Sequence, residues 1–218
     1  IFVFLSKLNF NKNILKFLIL LFAIHPVLSS VPVWIPARND TLLTIFFLSS
    51  LIYFINYIKT NKSKYLILHF LFFFLSLFSK ETTILLIIIY PLLILCFNLN
   101  TTKKHIKNNL FFMIPLLIIY FILRHFAVRS IDISFYFSNI SLYIKTIIFG
   151  IMLYIEKIAY PTNMQIMLFD LKPTIQICII NGLVFITLFY FFLKKIIDRK
   201  ILTFAMFFSL LAILPTFI

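Results

Sequence analysis

Long apolar runs separated by short polar loops are the dominant pattern of the chain. The stretch TILLIIIYPLLILCF, for example, lacks the apolar-polar alternation that the strands of a membrane barrel show. A membrane segment must bond its own backbone polar groups, which leaves helices as the alternative to a barrel. The pattern therefore predicts an all-α fold, a polytopic transmembrane helical bundle.

We expect about seven spans, each close to or shorter than the roughly 20 residues that a bilayer-spanning helix needs. Together they form a single transmembrane domain over residues 1–218. Because the chain opens on Ile1 and ends inside an apolar run, we expect a fragment of a longer chain that lacks its N-terminal spans and its C-terminal remainder. The predicted spans are Ile14–Ser30, Thr41–Ile58, Tyr65–Phe78, Thr82–Phe97, Leu110–Ala127, Ile175–Leu193 and Ile201–Ile218.

Composition excludes a soluble globular protein, because 63% hydrophobic residues, 12% charged residues and a mean hydropathy of +1.11 do not fit around one core. The formal net charge of +14 would indicate nucleic-acid binding in a soluble protein. Here the lysines fall in short loops between the apolar runs, where a positive cytoplasmic side explains them. We predict the lipid bilayer as a partner and no nucleic acid.

Lysine-rich loops at residues 59–64, 103–107 and 194–200 are assigned to the cytoplasmic side. This topology requires a hairpin within Tyr65–Phe97, although neither Gly nor Pro marks a turn at SKETT. The alternative is one continuous helix of roughly 50 Å, which would put two of the lysine loops on opposite sides. The hairpin is favoured. Ser141–Tyr160 is then predicted as an amphipathic helix on the outer interface.

The predicted topology puts several charged residues on the outer side of the membrane. Charges at membrane depth are costly unless they face a cavity with a partner, so they indicate a site. We expect Lys80 and Glu81 to form a recessed ion pair in a polar cavity. Arginine suits phosphate oxygens, and a carboxylate can act as a general base. The candidate substrate-binding residues are Lys80, Glu81, Arg38, Asp40, His25, Arg124 and Arg129. 

Simpler interpretations exist for several of these residues. Arg38 and Asp40 lie two positions apart and could be solvated loop residues, and His25 could be a polar anchor at a helix end. His69 and His105 are predicted to be structural or loop residues. Cys96 and Cys178 match no metal or disulfide spacing. No metal site and no cofactor are predicted, although the carboxylates could bind a divalent metal.

Four sequence features recur in the order typical of one enzyme family: the pair His25-Pro26, the loop from Trp34 to Asp40, the sequence FSKE ending at Glu81, and YIEKIAYPTNMQIMLFD from Tyr154. Over Ile14 to Asp170 the chain resembles the membrane region of GT-C superfamily glycosyltransferases. The resemblance is to protein O-mannosyltransferase-like proteins of the type that carries tetratricopeptide repeats. It implies transfer of mannose or a similar hexose from a polyprenyl-phosphate donor to a protein or glycan acceptor.

The resemblance also implies that the site faces the extracytoplasmic side of a bacterial plasma membrane or an ER membrane. The chain departs from the family pattern at Ser30, where an acid is usual, and at Ala37, where glycine is usual. The family's catalytic base is expected in a loop upstream of Ile1, with Asp40 as the candidate inside this chain. We therefore expect an enzyme whose present chain is inactive alone.

Two other function classes remain open. A transporter or flippase for a lipid-linked anion would also place cations in a membrane cavity, but it should show inverted internal repeats, and none is found. The other class is a polytopic scaffold that catalyses no reaction. It would not explain why Lys80 and Glu81 occupy recessed positions, which cost free energy in a membrane.

Overall fold

The computed structural model describes residues 1–8, 10–26, 37–97, 99, 103–127, 140–159, 179–184, 186–187, 190 and 199–213. Over these residues the chain is helical, with turns and without strands, which confirms the predicted all-α fold. The chain divides into two compact units, Ile1–Ser130 (unit 1) and Ile131–Ile218 (unit 2). The apolar pattern marks no boundary there, and the single transmembrane domain stays a prediction.

Unit 1 contains the following described helices: α1 (Phe2–Lys7), α2 (Lys12–Ala23), α3 (Ala37–Thr60), α4 (Ser63–Ser79), α5 (Thr83–Leu86), α6 (Ile89–Phe97) and α7 (Lys103–Ala127). Among the described residues, two helices are long and apolar enough to cross a membrane, with 23 residues each, at Arg38–Thr60 and His105–Ala127. Each is about 34 Å long, against about 30 Å for a hydrocarbon core.

The count of about seven spans is therefore not confirmed. The apolar helices Ser63–Ser79 and Thr83–Phe97 are shorter than a full span. The span predicted over Ile14–Ser30 overlaps the 12-residue helix α2 only as far as Ala23. The helix that contains the span predicted from Leu110 begins at Lys103, and its candidate span begins at His105. The predicted spans at 175–193 and 201–218 lie partly outside the described residues.

Helices α3 and α4 form an antiparallel pair that organises unit 1. The buried positions of α3 recur every three or four residues and produce one apolar face. Aromatic rings join the two helices along their length, with Tyr53 stacked on Phe72 at 5.4 Å and on Tyr65 at 6.3 Å. This face of α3 consists of Leu43, Phe47, Ser50, Leu51, Phe54, Ile55 and Ile58.

The chain turns sharply at Lys80, where the backbone is extended (φ −161°, ψ 140°). The buried Thr83 hydroxyl lies 2.8 Å from the Ser76 carbonyl oxygen and 2.9 Å from that of Lys80, and donates to these acceptors at the end of α4. The same two carbonyls also accept from the backbone N–H groups of Lys80 and Thr83, each at 3.2 Å. The threonine hydroxyl thus adds a further donor at the helix end, where no glycine or proline marks the turn.

After this turn the chain folds back, which confirms the predicted hairpin. Tyr90 of α6 lies against His69 and Phe73 of α4, with ring centroids 5.1 and 6.2 Å apart. In a continuous helix, His69 and Tyr90 would be about 30 Å apart. Tyr90 also packs on Phe47 and Phe54 of α3, at 5.8 and 5.2 Å. The segment after α4 therefore completes the core of the α3–α4 pair.

Helix α7 runs parallel to α4, and it contacts α3 near its start and α4 near its other end. Near its start, Asn108 Nδ2 donates to the Tyr57 hydroxyl at 3.0 Å, and His105 packs edge-on against the Tyr57 ring at 5.0 Å. Near its other end, Tyr120 contacts Phe78 at 6.1 Å. Only 12% of the 18-residue apolar stretch of α7 is buried, against 44% of the corresponding stretch of α3. Most of the apolar surface of α7 is therefore directed outward.

Unit 2 contains α8 (Ile140–Ala159) and α9 (Arg199–Ile213), with the helical residues 179–184 between them in sequence. Asn181 Nδ2 donates to the Met152 carbonyl at 3.0 Å and joins this segment to α8. Leu153 and Phe204 are buried. Helix α8 coincides with the predicted amphipathic helix, whose place at a membrane interface stays a prediction.

Candidate functional site

Four charged side chains meet at one end of unit 1 as two ion pairs, and we call them the charged cluster. Lys80 Nζ donates to Asp40 Oδ1 at 2.6 Å, and Arg124 pairs with Glu81. Asp40 lies in the first turn of α3, Lys80 and Glu81 follow α4, and Arg124 is in the last turn of α7. The cluster joins three helices at one level.

The register of α3 against α4 produces the first ion pair. In the buried centre, Ser50 Oγ lies 2.7 Å from His69 Nδ1. From this contact Asp40 is ten residues away along α3, and Lys80 is eleven residues away along α4. These separations correspond to rises of about 15 and 16 Å in the same direction. The two charged residues therefore reach the same level because the helices are antiparallel.

Arg124 reaches the cluster by extending back along its own helix. Side chains on an α-helix tilt toward its N-terminus, so a residue in the last turn reaches the level of the preceding turn. Accordingly, an Arg124 Nη1 hydrogen is donated to the Tyr120 hydroxyl at 3.1 Å. The same group contacts Glu81. Tyr120 thus supports the guanidinium group where it meets the turn after α4.

The two cations of the cluster retain hydrogen-bonding capacity. An ammonium group has three donors and a guanidinium group has five. Within the described residues, Lys80 bonds to Asp40, and Arg124 bonds to Tyr120 and Glu81. The side chains of Lys80 and Arg124 are 34% and 24% exposed. Two partly buried cations with unused donors form a surface that suits an anion such as a phosphate.

The predicted pairing of Lys80 with Glu81 is wrong, since each has a different partner. Successive residues at a sharp turn direct their side chains apart, and Lys80 extends toward α3 while Glu81 extends toward α7. The predicted recessed cavity is also not found here, because the side chains of Asp40 and Glu81 are 51% and 58% exposed. The cluster lies at the surface of the described part of unit 1.

Among the described residues, the structure does not bring the other predicted site residues into the charged cluster. Arg38 is exposed in the first turn of α3, in the same turn as Asp40. His25 is half-buried just beyond α2. Arg129 and Trp34 lie outside the described residues, as do residues 35–36 and 160–170 of the segments that contribute to the family resemblance. The structure thus brings together Asp40, Lys80, Glu81 and Arg124, whose roles remain predictions.

A buried polar network in the centre of unit 1 was not anticipated from the sequence. Ser50 Oγ lies 2.7 Å from His69 Nδ1 and 2.8 Å from the Tyr90 hydroxyl, and His69 Nε2 lies 3.4 Å from Asn109 Oδ1. Tyr90 can donate to Ser50 Oγ, which in turn can donate to His69 Nδ1 or to the His69 carbonyl 3.0 Å away. Nδ1 also lies 3.1 Å from the Ser50 carbonyl, so the tautomer of His69 sets which of these bonds form. The only sequence signal is the placement of polar residues within apolar runs.

The Ser50–His69 contact has the distance of a nucleophile and its base, but its surroundings favour a structural role. Both side chains are 0% exposed, and Tyr90 is 2% exposed. A substrate would therefore have to displace the core to reach the hydroxyl group. The network instead satisfies buried polar groups from α3, α4, α6 and α7 and so aligns these helices.

Two further features concern ligand binding. Among the described residues, no group of three or more His, Cys, Asp or Glu side chains is arranged to hold a metal ion. An open apolar groove of about 460 Å³ lies at the end of α7, beside Arg124 in sequence. It is lined by Ile118, Phe121, Ile122, His125 and Phe126. The groove offers an apolar surface at the same end of α7 as Arg124, on a different face of the helix.

In comparisons with protein-family models, with curated proteins and with solved structures, none matched this chain.

Proposed function

We propose that this chain is a membrane glycosyltransferase that uses a polyprenyl-phosphate sugar, with the donor phosphate bound between Lys80 and Arg124. The observation that carries the proposal is the charged cluster, in which two partly exposed cations with unused donors lie at one end of both candidate spans. The motif order that resembles GT-C enzymes supports the same substrate class. The site would face the extracytoplasmic side, and the chain would cross the membrane several times.

The existing ion pairs do not oppose phosphate binding. A pair between partly exposed side chains contributes about 0–1 kcal/mol, because water already solvates both charges. The phosphodiester of a polyprenyl-phosphate sugar carries one negative charge, as a carboxylate does, and can bond the guanidinium group through two oxygens. It can therefore replace Glu81 at Arg124 or share Lys80 with Asp40. A displaced carboxylate would then be free to act on an acceptor hydroxyl as a general base.

The apolar groove on α7 supports a lipid-linked donor over a soluble one. The groove lies at the same end of α7 as Arg124 but on a different face of the helix. An isoprenoid chain attached to a phosphate at Arg124 would therefore start at the level of the groove and would pass around the helix to reach it. Apolar burial contributes about 25 cal/mol for each Å² removed from water. A soluble sugar phosphate would gain nothing from this surface. The donor head would be held by charge and its tail by apolar contact.

Binding of a fluorescent polyprenyl phosphate to the reconstituted chain tests the proposal directly. Lys80→Gln and Arg124→Gln should each weaken binding about tenfold or more, since a charge-assisted hydrogen bond contributes about 1.5–3 kcal/mol. Lys16→Gln is the control, because it removes an exposed cation of α2 that is not part of the charged cluster. Equal affinity in all three variants would exclude the cluster as the phosphate site.

A transfer assay separates an enzyme from a transporter. The reconstituted chain is given polyprenyl-phosphate mannose and peptide or glycan acceptors, and the sugar on the acceptor is measured. Turnover that is lost in Asp40→Asn, with donor binding retained, would identify Asp40 as the base. Movement of donor across the bilayer without transfer would instead favour a flippase. Donor binding with neither activity would limit the proposal to a donor-binding module.

A further inference from the structure

Lysines from several helices gather at the end of unit 1 opposite the charged cluster. Lys59 Nζ donates to the Lys7 carbonyl at 3.1 Å and joins the end of α3 to the end of α1. Lys64 Nζ lies over the Tyr65 ring, 5.0 Å from its centroid. The contacts of Asn108 and His105 with Tyr57 bring the start of α7 to the same end. We define the lysine face as Lys7, Lys59, Lys62, Lys64 and Lys107.

The positive charge of this face has no carboxylate nearby in unit 1. Residues 1–130 contain only two acids, Asp40 and Glu81, and both belong to the charged cluster. Asp40 is separated from Lys59 by nearly the length of α3, about 28 Å. This separation exceeds the Debye length of about 8 Å at physiological ionic strength, so the distant carboxylates do not neutralise the lysines.

The helix ends at this face add to the excess of positive charge. Helices α4 and α7 both begin here, and neither has an acidic residue in its first turn. Cations near a helix N-terminus are unfavourable, because the helix dipole is positive at this end. Lys103 and Lys104, the first residues of α7, extend the same sequence pattern. An external anion at this surface would reduce the repulsion among these groups.

Apolar side chains next to the lysine face indicate which anion fits. Ile67, one turn from Lys64, is 68% exposed, and Phe111, one turn from Lys107, is 66% exposed. Cations directly above exposed apolar residues match the layers of a phospholipid, whose phosphate lies above its acyl chains. A free phosphate or an RNA backbone would use the lysines and leave the apolar side chains in water. The pairing of both features favours a lipid.

We propose that the lysine face binds the headgroups of anionic phospholipids and selects them over zwitterionic ones. The acyl chains pack beside Ile67 and Phe111, and the headgroup phosphate accepts hydrogen bonds from the lysine ammonium groups. This surface is separate from the charged cluster, so the inference does not depend on the proposed sugar transfer.

Native mass spectrometry of the purified chain tests this selectivity. The detergent-solubilised chain is mixed with equal amounts of phosphatidylglycerol and phosphatidylcholine that carry the same acyl chains, and the bound fractions are compared. Each lysine near an anionic headgroup contributes about 1 kcal/mol, or about fivefold in affinity. Lys62→Gln should therefore reduce the preference for phosphatidylglycerol about fivefold, and the combined Lys59, Lys62 and Lys64 changes to Gln should abolish it.

Lys62→Arg is the matched control, because it keeps a positive charge at the same exposed position and should leave lipid preference unchanged. Glycerol phosphate, the free headgroup, should not displace the lipid at equal concentration. The proposal is overturned if the unmodified chain binds both lipids equally, or if Lys62→Arg acts as strongly as Lys62→Gln. Displacement of the lipid by glycerol phosphate or by a short RNA would also overturn it. If the triple variant aggregates, the lipid preference of Lys62→Gln and that of Lys107→Gln are each compared with that of the unmodified chain.

Discussion

At the scale of single residues, small hydroxyl groups determine the conformation near the charged cluster. Thr83 is fully buried, and its hydroxyl serves the carbonyls of Ser76 and Lys80. The neighbouring Thr82 is also buried, but its Oγ1 has no hydrogen-bond partner among the described residues. Two adjacent threonines with similar burial thus differ in what their hydroxyl groups contribute.

Thr83→Val should destabilise the fold, since valine keeps the shape of threonine but cannot donate to the helix end. Both carbonyls keep a backbone donor, so the expected cost is that of one hydrogen bond, about 0.5–1.5 kcal/mol. The measurement is thermal unfolding of the purified chain in detergent. Thr82→Val is the control and should be neutral or stabilising, because it removes an unpaired buried hydroxyl. A greater loss in Thr82→Val than in Thr83→Val would contradict this account.

At the scale of the elements, the buried polar network explains how the helices find their register. Ser50 of α3 contacts His69 of α4 and Tyr90 of α6, while Asn109 of α7 lies beside the other ring nitrogen. Apolar faces can slide past each other at small cost, whereas a buried polar group out of register loses its partner. The network therefore favours one alignment, in which Lys80 lies beside Asp40.

Ser50→Ala should destabilise the chain more than Tyr90→Phe, because it removes a partner from two buried groups instead of one. The expected losses are about 2–4 and 1–2 kcal/mol, on the scale of unsatisfied buried polar groups. A double-mutant cycle should show coupling between these positions, since both changes remove the same contact. Ser49→Ala, at a half-buried neighbour, serves as control. Strict additivity of Ser50→Ala and Tyr90→Phe would show that their hydroxyl groups do not interact.

At the scale of the whole molecule, unit 1 separates its charges between two ends. The cluster holds its two acids, and the lysine face holds cations from α1, α3, α4 and α7. The two candidate spans connect these ends and present apolar side chains between them. This distribution fits a bilayer with the lysine face on the cytoplasmic side. The same arrangement would put the cluster at the outer surface.

Cysteine labelling tests this orientation. With Cys96 and Cys178 replaced by alanine, Asn39→Cys should react with a membrane-impermeant maleimide added outside intact cells. Lys62→Cys should react only after the cells are opened. Both positions are exposed and lie at opposite ends of the α3–α4 pair. Labelling of both from the outside would contradict the orientation and the proposed extracytoplasmic site.

The apolar pattern by itself determined the helical class, the hairpin after α4 and the separation of lysines from Asp40 and Glu81. These features follow from periodicity and local charge, which are properties of short segments. The number of spans could not be obtained in this way. Apolar runs do not show where a helix ends, and α7 begins at Lys103 among residues that a hydropathy pattern treats as loop.

Tertiary structure alone decided the partners within the site. Lys80 and Glu81 are adjacent in sequence, so their pairing seemed natural, yet the extended backbone at Lys80 directs them to α3 and α7. The choice of Asp40 depends on the Ser50–His69 register, and the choice of Arg124 depends on the approach of α7. The contact of Lys80 with Asp40 and the contact of His69 with Asn109 each join residues 40 positions apart. A local sequence pattern does not predict contacts over that separation.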